Sequence, residues 1–279
     1  MSNEKGYLTP EDYAEPRCLL CDDPYGVTPQ VKTVPQDRII QKMNDYMSRR
    51  DYEGAERHLK YWLEEAVLGH DKGGELMIRN ELIGHFRKTG NREGAFENIA
   101  KALPLLEELH FENNISAGTT YINAATAYNA FGENKQAITL FEKAKQVYEA
   151  NETSAALRGG LYNNMALCFV ALGNYESAFA LYEKALEVMN DVEGGALEQA
   201  ITYLNMADAL EAQQGAETAE PQITAWLDTA YALLTESDVK QDGYYAFVCE
   251  KCAPCFSYYG YFLAANELNK RAECIYERD

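Results

Sequence analysis

Three asparagines recur at a constant interval in the middle of the chain. Asn123, Asn164 and Asn205 lie 41 residues apart. A carboxamide offers both a hydrogen-bond donor and an acceptor, which is also what each unit of a peptide backbone presents. Three such side chains in a row therefore predict a surface that holds an extended peptide without reading its side chains. The alternative, which the sequence leaves open, is that these asparagines cap or bridge neighbouring helices.

Two cysteine pairs indicate a second kind of chemistry. Cys18 with Cys21, and Cys249 with Cys252, each have Cys-x-x-Cys spacing. Two such pairs are able to form a tetrahedral zinc site, and a single pair is able to act in redox chemistry. However, the pairs are separated by far more residues than in a zinc ribbon, and cysteine often serves as a small buried apolar residue. We therefore expect no metal and no cofactor, and keep a zinc- or redox-linked cysteine protein as an alternative function.

The overall composition disfavours several classes of function. The 279 residues include 25 Lys and Arg against 44 Asp and Glu, which gives a net charge of −19. This charge repels a nucleic-acid backbone and favours cationic partners. The sequence has no phosphate-loop, zinc-protease or serine-hydrolase motif, so we do not expect an enzyme. It also has neither a run of 18 apolar residues nor an apolar leader, so we expect a cytoplasmic protein without membrane contact.

An internal repeat must position these residues. Gly118 recurs as Gly159, and the small and aromatic residues that follow them keep the same 41-residue offset up to position 186. One small or aliphatic residue marks the second half of each of six units: Ala55, Ala95, Ala137, Ala178, Ile223 and Ala265. Apolar residues around these positions have helical spacing, and turn glycines separate the two halves of a unit. The sequence therefore predicts six stacked helical hairpins, since one hairpin cannot bury its own apolar face.

The first 33 residues differ from the repeats. Their prolines and the lack of a helical period predict an extended tail over residues 1–33, followed by a repeat domain over residues 34–279. Thr33 and Pro35 mark the start of the first helix. We expect an insertion at 213–221 in the fifth unit, and helix bends at Pro104 and Pro254.

The order of small and aromatic residues carries a family resemblance. Ala125, Tyr128, Ala137, Phe141 and Ala144, with their equivalents, resemble the tetratricopeptide repeat family over residues 35–279. Tyrosine replaces the usual tryptophan, and each unit is longer than the standard one of about 34 residues. The long units are similar to those of kinesin light chains and of bacterial peptide-sensing regulators, although no helix-turn-helix domain precedes them. The resemblance implies an all-α, right-handed superhelical solenoid with a concave groove.

The resemblance also implies which residues face a ligand. In the family, the first helix of each hairpin lines the groove, and asparagine at the place of Asn123, Asn164 and Asn205 binds the backbone of a peptide. The tyrosines two positions earlier belong to the expected site: Tyr121, Tyr162 and Tyr203. Gly160 and Ile201 stand where chaperone-binding members have a basic clamp residue, so a co-chaperone is not expected.

Charged residues near the groove imply a basic or neutral ligand. By the family register Asp208, Glu211 and Glu250 face the groove in the last units. Near the start of the groove the charged residues are Glu81, which takes the asparagine position, Arg87 and Lys88. Asp208 and Glu211 complete the set of expected peptide-binding residues. The competing interpretation is that these side chains form an ordinary solvated face.

The leading interpretation is a non-catalytic scaffold that binds a protein or peptide in its concave groove. Another alternative is a sensor whose groove is occluded by its own tail, residues 1–33. An aromatic cluster in the last unit is expected to be mostly core, and any exposed part would support a homodimer through that unit. Its members are Tyr244, Tyr245, Tyr258, Tyr259, Tyr261 and Phe262.

Overall fold

Twelve α-helices form the part of the chain that the structure describes. The computed structural model describes residues 31–190, 192, 194–236 and 239–277, and contains no strand within these ranges. Residues 1–30, and with them most of the expected tail, lie outside the described residues. The helices are α1 Gln36–Ser48, α2 Tyr52–Leu68, α3 Lys72–Thr89, α4 Arg92–Glu108, α5 Ile115–Ala130, α6 Asn134–Ala150, α7 Ala155–Ala171, α8 Tyr175–Met189, α9 Gly195–Gln214, α10 Ala216–Thr235, α11 Gly243–Tyr258 and α12 Phe262–Tyr276.

Successive helices pair into six hairpins, which we call repeats one to six. The odd-numbered member of each pair is the first helix of its repeat, and the even-numbered member is the second helix. From α3 to α11, each first helix packs against the first helix of the next repeat. The second helices α2, α4, α6 and α8 pack on the first helices before and after them, whereas α10 packs mainly on α9. The first helices therefore form a continuous inner layer. The expected all-α superhelical solenoid of six hairpins is confirmed.

Local sequence explains where the helices begin. In seven of them the residue before the helix is Asp, Asn or Ser, and its side chain accepts a hydrogen bond from a backbone N–H in the first turn. Such caps satisfy donors that have no partner within the helix. The small or aliphatic residues that mark the second helices are all buried, at Ala55, Ala95, Ala137, Ala178, Ile223 and Ala265.

The hydrophobic core consists of two large clusters joined by a small one. The first large cluster extends from Val34 to Cys168, and the second from Leu197 to Ile275. The small cluster lies where repeats four and five meet, and its buried members are Ala166, Ala178, Tyr182, Met206 and Ala209. Repeats five and six thus share a core that is distinct from the core of the preceding repeats.

The expected insertion in repeat five is helical. Helices α9 and α10 have 20 residues each, and they meet at Gly215. The extra residues extend both helices instead of forming a loop. Pro104 and Pro254 lie inside α4 and α11 as expected, and the bends there remain a prediction.

Part of the outer face of α12 is polar. Asn266 and Glu273 of α12 are exposed, whereas the equivalent residues of α8, Phe179 and Leu186, pack against the small core cluster that joins repeats four and five. Phe262 and Leu263 in the first turn of α12 are exposed on the same side, so this face carries both polar and apolar residues.

Candidate functional site

The first helices present one solvent-facing stripe each to a common surface. Residues three and four positions apart share one side of a helix, so a stripe has this spacing. On α5, α7 and α9 it contains Thr119, Asn123, Thr126, Ala130, Gly160, Asn164, Leu167, Ala171, Asn205, Asp208 and Ala212. Since the first helices lie side by side, the stripes together form the concave surface of the solenoid.

The three predicted asparagines lie at the centre of this concave surface. Asn123, Asn164 and Asn205 are each half-buried, on three successive first helices. The Nδ2 atom of Asn164 donates a 2.8 Å hydrogen bond to the carbonyl oxygen of Gly160 in its own helix. Within the described part of the chain, the side chains of Asn123 and Asn205 make no hydrogen bond. The row therefore presents carboxamide groups that are available to a ligand.

Different asparagines bridge the repeats. Asn80 donates to Thr120 at 2.9 Å, and Asn163 donates to Thr202 at 2.7 Å. Each of these bonds joins a first helix to the next one. These two bridges between first helices thus come from Asn80 and Asn163, and not from the predicted asparagines. The signal that sequence reasoning missed is a threonine about 40 positions after Asn80 and after Asn163.

The predicted tyrosines lie on another side of their helices. An α-helix turns by about 100° per residue, so Tyr121 is about 200° from Asn123 around α5. Tyr121 and Tyr203 pack against the hydrophobic core, and burial raises the pKa of Tyr121. Tyr162 is half-buried on α7, at the same place in its repeat. The structure therefore brings together the asparagines but does not add these tyrosines to the same surface.

The predicted acidic residues contact phenols of repeat six. Tyr259 donates to Asp208 at 3.0 Å or to Glu211 at 2.9 Å, and Tyr258 donates to Glu211 at 3.0 Å. The thiol of Cys255 also lies 3.6 Å from Asp208. Burial by the surrounding helices raises the pKa of Asp208, and the Tyr259 and Cys255 donors oppose this shift. Asp208 and Glu211 thus already have partners from the chain itself.

Further phenol–carboxylate contacts join the last two repeats. Tyr231 donates to Glu267 at 2.6 Å, Tyr261 donates to Asp228 at 2.9 Å, and Tyr244 contacts Glu198. Every one of these contacts runs between repeat five and repeat six. No local sequence pattern predicts these contacts, because the partners are 33 to 51 residues apart.

The other charged residues expected in the groove lie in different surroundings. Burial raises the pKa of Glu81 and lowers that of Arg87. The Lys88 ammonium lies 5.2 Å from the ring centre of Tyr52. Glu250 accepts hydrogen bonds from Arg50 and Tyr276. Of the acidic residues expected in the groove, Glu250 is therefore tied to the first repeat.

The described pair of cysteines, Cys249 and Cys252, has the character of core residues. Cys249 and Cys252 are buried, and burial raises the pKa of both thiols, that of Cys252 to about 12. A protonated, buried thiol is a poor metal ligand and a poor nucleophile. Among the described residues no group of three or more potential ligands is placed to hold a metal ion. Cys18 and Cys21 lie outside the described residues, as does nearly all of the tail proposed to occlude the groove.

The aromatic cluster of repeat six divides between core and surface. Of the six predicted members Tyr245 is fully buried, whereas Tyr244, Tyr258 and Phe262 are exposed, Tyr258 by 70% and Phe262 by 62%. Leu263 beside them is 87% exposed. The expectation that the cluster is mostly core is therefore wrong. A homodimer through this surface remains a prediction. No helix in the described ranges is long and apolar enough to span a membrane.

Comparison with known proteins gives one family match. The tetratricopeptide repeat family model matches residues 74–150 and 157–224, together just over half of the chain. These ranges include the stripes of α5, α7 and α9. No curated protein sequence matches the chain.

Several solved structures are similar in fold. One is a glutamine-to-methionine variant of the nearly identical TPR-like repeats assigned to a kinesin light chain of Podosopora anserina. It has 16% sequence identity and a TM-score of 0.50, and the match covers 71% of this chain and 92% of that chain. BtubC (BKLC) from P. vanneervenii has 17% identity, coverage of 87% and 91%, and a TM-score of 0.48. The MamA protein has 16% identity, coverage of 72% and 95%, and a TM-score of 0.47. At these identities the likeness concerns the fold alone.

Proposed function

Because the chain belongs to the tetratricopeptide repeat family, we propose that it is a non-catalytic scaffold that binds a protein or peptide in its concave groove. The bound segment lies extended across α5, α7 and α9. Asn123, Asn164 and Asn205 hydrogen-bond its backbone, one residue from each repeat.

The observation that carries this proposal is the row of available carboxamides. Three equivalent, half-buried asparagines stand on the one solvent-facing stripe of three adjacent helices. Asparagine is a mediocre helix former, so its presence in mid-helix three times over favours a role for the side chain. The side-chain bridges from α3 to α5 and from α7 to α9 come from Asn80 and Asn163 and not from the row, which supports ligand binding as the role of the row.

The groove favours a basic or neutral ligand. Asp208 and Glu211 lie at its end near repeat six, and the chain as a whole has a net charge of −19. A lysine or arginine side chain of the ligand is able to form ion pairs with these two carboxylates. Tyr258 and Tyr259 now donate to these carboxylates, so a cationic group competes with the phenols for them.

Affinity measurements on a selected ligand test the proposal. A library of displayed extended peptides is first selected against the full chain, and the Kd of the best peptide is then measured by fluorescence anisotropy. Changing Asn123, Asn164 and Asn205 together to Ala removes three backbone contacts worth about 0.5–1.5 kcal/mol each, so we expect a Kd at least about tenfold weaker. The midpoint of thermal unfolding should hardly change.

Exposed asparagines of α12 provide the matched control. Changing Asn266 and Asn269, which lie outside the groove, to Ala should leave the Kd unchanged. A triple variant that binds like the wild type would place the ligand elsewhere. A triple variant that unfolds at a much lower temperature would show that the row is structural.

A further inference from the structure

The turn that follows α1 differs from the equivalent turns of other repeats. In repeats two, three, four and six the equivalent residue is a glycine with positive φ, namely Gly90, Gly132, Gly173 and Gly260. In repeat one it is Arg50, whose φ is 55°. This conformation crowds the Cβ of an L-residue but costs glycine nothing. His70 and His110 also have positive φ, but they lie in the turns between repeats. A strained residue where its equivalents are glycine raises the question of what its side chain contacts.

The side chain of Arg50 reaches the opposite end of the solenoid. Its Nη2 atom lies 2.5 Å from Oε1 of Glu250, which is 200 residues later and belongs to α11. Tyr276 of α12 donates to the other carboxylate oxygen of Glu250 at 3.3 Å and so helps to fix its position. The tip of the first hairpin therefore contacts the last repeat.

Glu250 occupies a repeat position that, in repeats two and four, bonds to the first helix of the next repeat. It is the equivalent of Asn163, which bonds Thr202 of the next first helix, and of Asn80, which bonds Thr120. Within the described residues, no further first helix follows α11. Asn80 and Asn163 each bond a threonine of the next repeat. Glu250 instead bonds Arg50 of repeat one.

We propose that the Arg50–Glu250 pair is a clasp that closes the superhelix end to end and controls lateral access to the concave groove. The control of access rests on the proposed function, whereas the clasp itself does not. The division of the core marks where the solenoid would bend on opening, because a small cluster of Ala166, Ala178, Tyr182, Met206 and Ala209 separates the two large ones.

The clasp is weak enough to act as a gate. The side chains of Arg50 and Glu250 are 70% and 45% exposed. An exposed pair of this kind shifts an equilibrium between open and closed forms by about 1.4- to 5-fold, and salt screens it. Small changes in ionic conditions, or a charged ligand, are thus sufficient to change the proportion of open molecules.

Small-angle X-ray scattering of the full chain, without ligand, tests the clasp. Arg50→Glu and Glu250→Arg should each increase the radius of gyration, because each places two like charges at the contact. The double variant with both charges exchanged should return to the wild-type radius. As a matched control, Lys101→Glu reverses one charge of the exposed Lys101–Glu97 pair within α4 and should leave the radius unchanged.

Arg50→Gly separates opening from unfolding. It removes the ion pair and relieves the strained turn, so we expect a larger radius of gyration together with an unfolding temperature that is equal or higher. A wild-type radius in both charge-reversal variants, or in Arg50→Gly, would overturn the clasp. So would a charge-exchanged variant that stays expanded. Since no ligand is present, these results are independent of whether the groove binds a peptide.

Discussion

The middle repeats and the last two repeats are joined by different chemistry. Between α3 and α5, and between α7 and α9, neutral pairs of asparagine and threonine connect the first helices, the first pair partly buried and the second buried. Between repeats five and six the connections are phenols that donate to carboxylates, most of them partly exposed. One repeat fold therefore contains two kinds of junction.

The difference concerns how each junction responds to its surroundings. A buried amide–hydroxyl pair carries no net charge, so neither pH nor salt changes it appreciably. At the other junction Tyr259 has one proton, yet it lies within hydrogen-bonding distance of both Asp208 and Glu211. That junction is expected to respond to charge, while the middle repeats respond mainly to changes in packing.

The largest effect is expected from packing in the middle repeats. Gly118 faces the rigid ring of Tyr148, and its equivalent Gly159 faces the flexible end of Met189. Gly118→Ala should lower the free energy of unfolding by about 1–3 kcal/mol, because the added methyl group overlaps the ring. Gly159→Ala should have a much smaller effect, since methionine adapts to its neighbours. Urea denaturation of both variants measures the difference, and equal losses would contradict this account of the packing.

A smaller effect is expected from the amide–hydroxyl junction. Asn163→Ala removes the hydrogen bond to Thr202 and should cost about 0.5–1.5 kcal/mol of unfolding free energy. Its neighbour Asn164 bonds only its own helix, so Asn164→Ala should be neutral or slightly stabilising. The same denaturation experiment compares the two residues. If Asn164→Ala were the more harmful change, the assignment of one asparagine to structure and the other to binding would be reversed.

The smallest effect is expected at the charged junction. The pKa of Asp208 is raised in the folded state, so folding is disfavoured by its charge above that pKa and the penalty disappears as the pH falls through it. Asp208→Asn keeps an acceptor for Tyr259 but removes the charge. It should stabilise the chain at pH 7 by up to about 0.5 kcal/mol, and by less as the pH approaches 4. Thermal unfolding across this pH range measures the effect, and a constant or opposite difference would contradict it.

Much of the fold was predictable from the sequence. The 41-residue offset predicted six hairpins, and the marker residues from Ala55 to Ala265 are indeed buried in the second helices. The insertion at 213–221 was expected, but its helical form was not. Adding residues to both α9 and α10 preserves the sides on which they pack, so the apolar pattern alone does not distinguish a longer helix pair from a loop.

The site was predictable only where it repeats. Asn123, Asn164 and Asn205 stand out because the same residue returns at the same offset. The bond between Tyr259 and Asp208 has no such periodicity, and the contact of Arg50 with Glu250 depends on the curvature accumulated over all six repeats. Small rotations between successive hairpins decide whether the ends meet, and these rotations follow from packing details that a sequence pattern does not contain.

The division of the core also affects how the chain unfolds. In a repeat protein each unit is stabilised by its own interactions and by those with its nearest neighbours, so cooperativity depends on the weakest interface in the row. Repeats five and six share one large cluster and the preceding repeats share the other, with the small cluster around Tyr182 between them. Repeats five and six are therefore expected to form one folding unit and the preceding repeats another, so that partly folded molecules with one half intact become an accessible state of the chain.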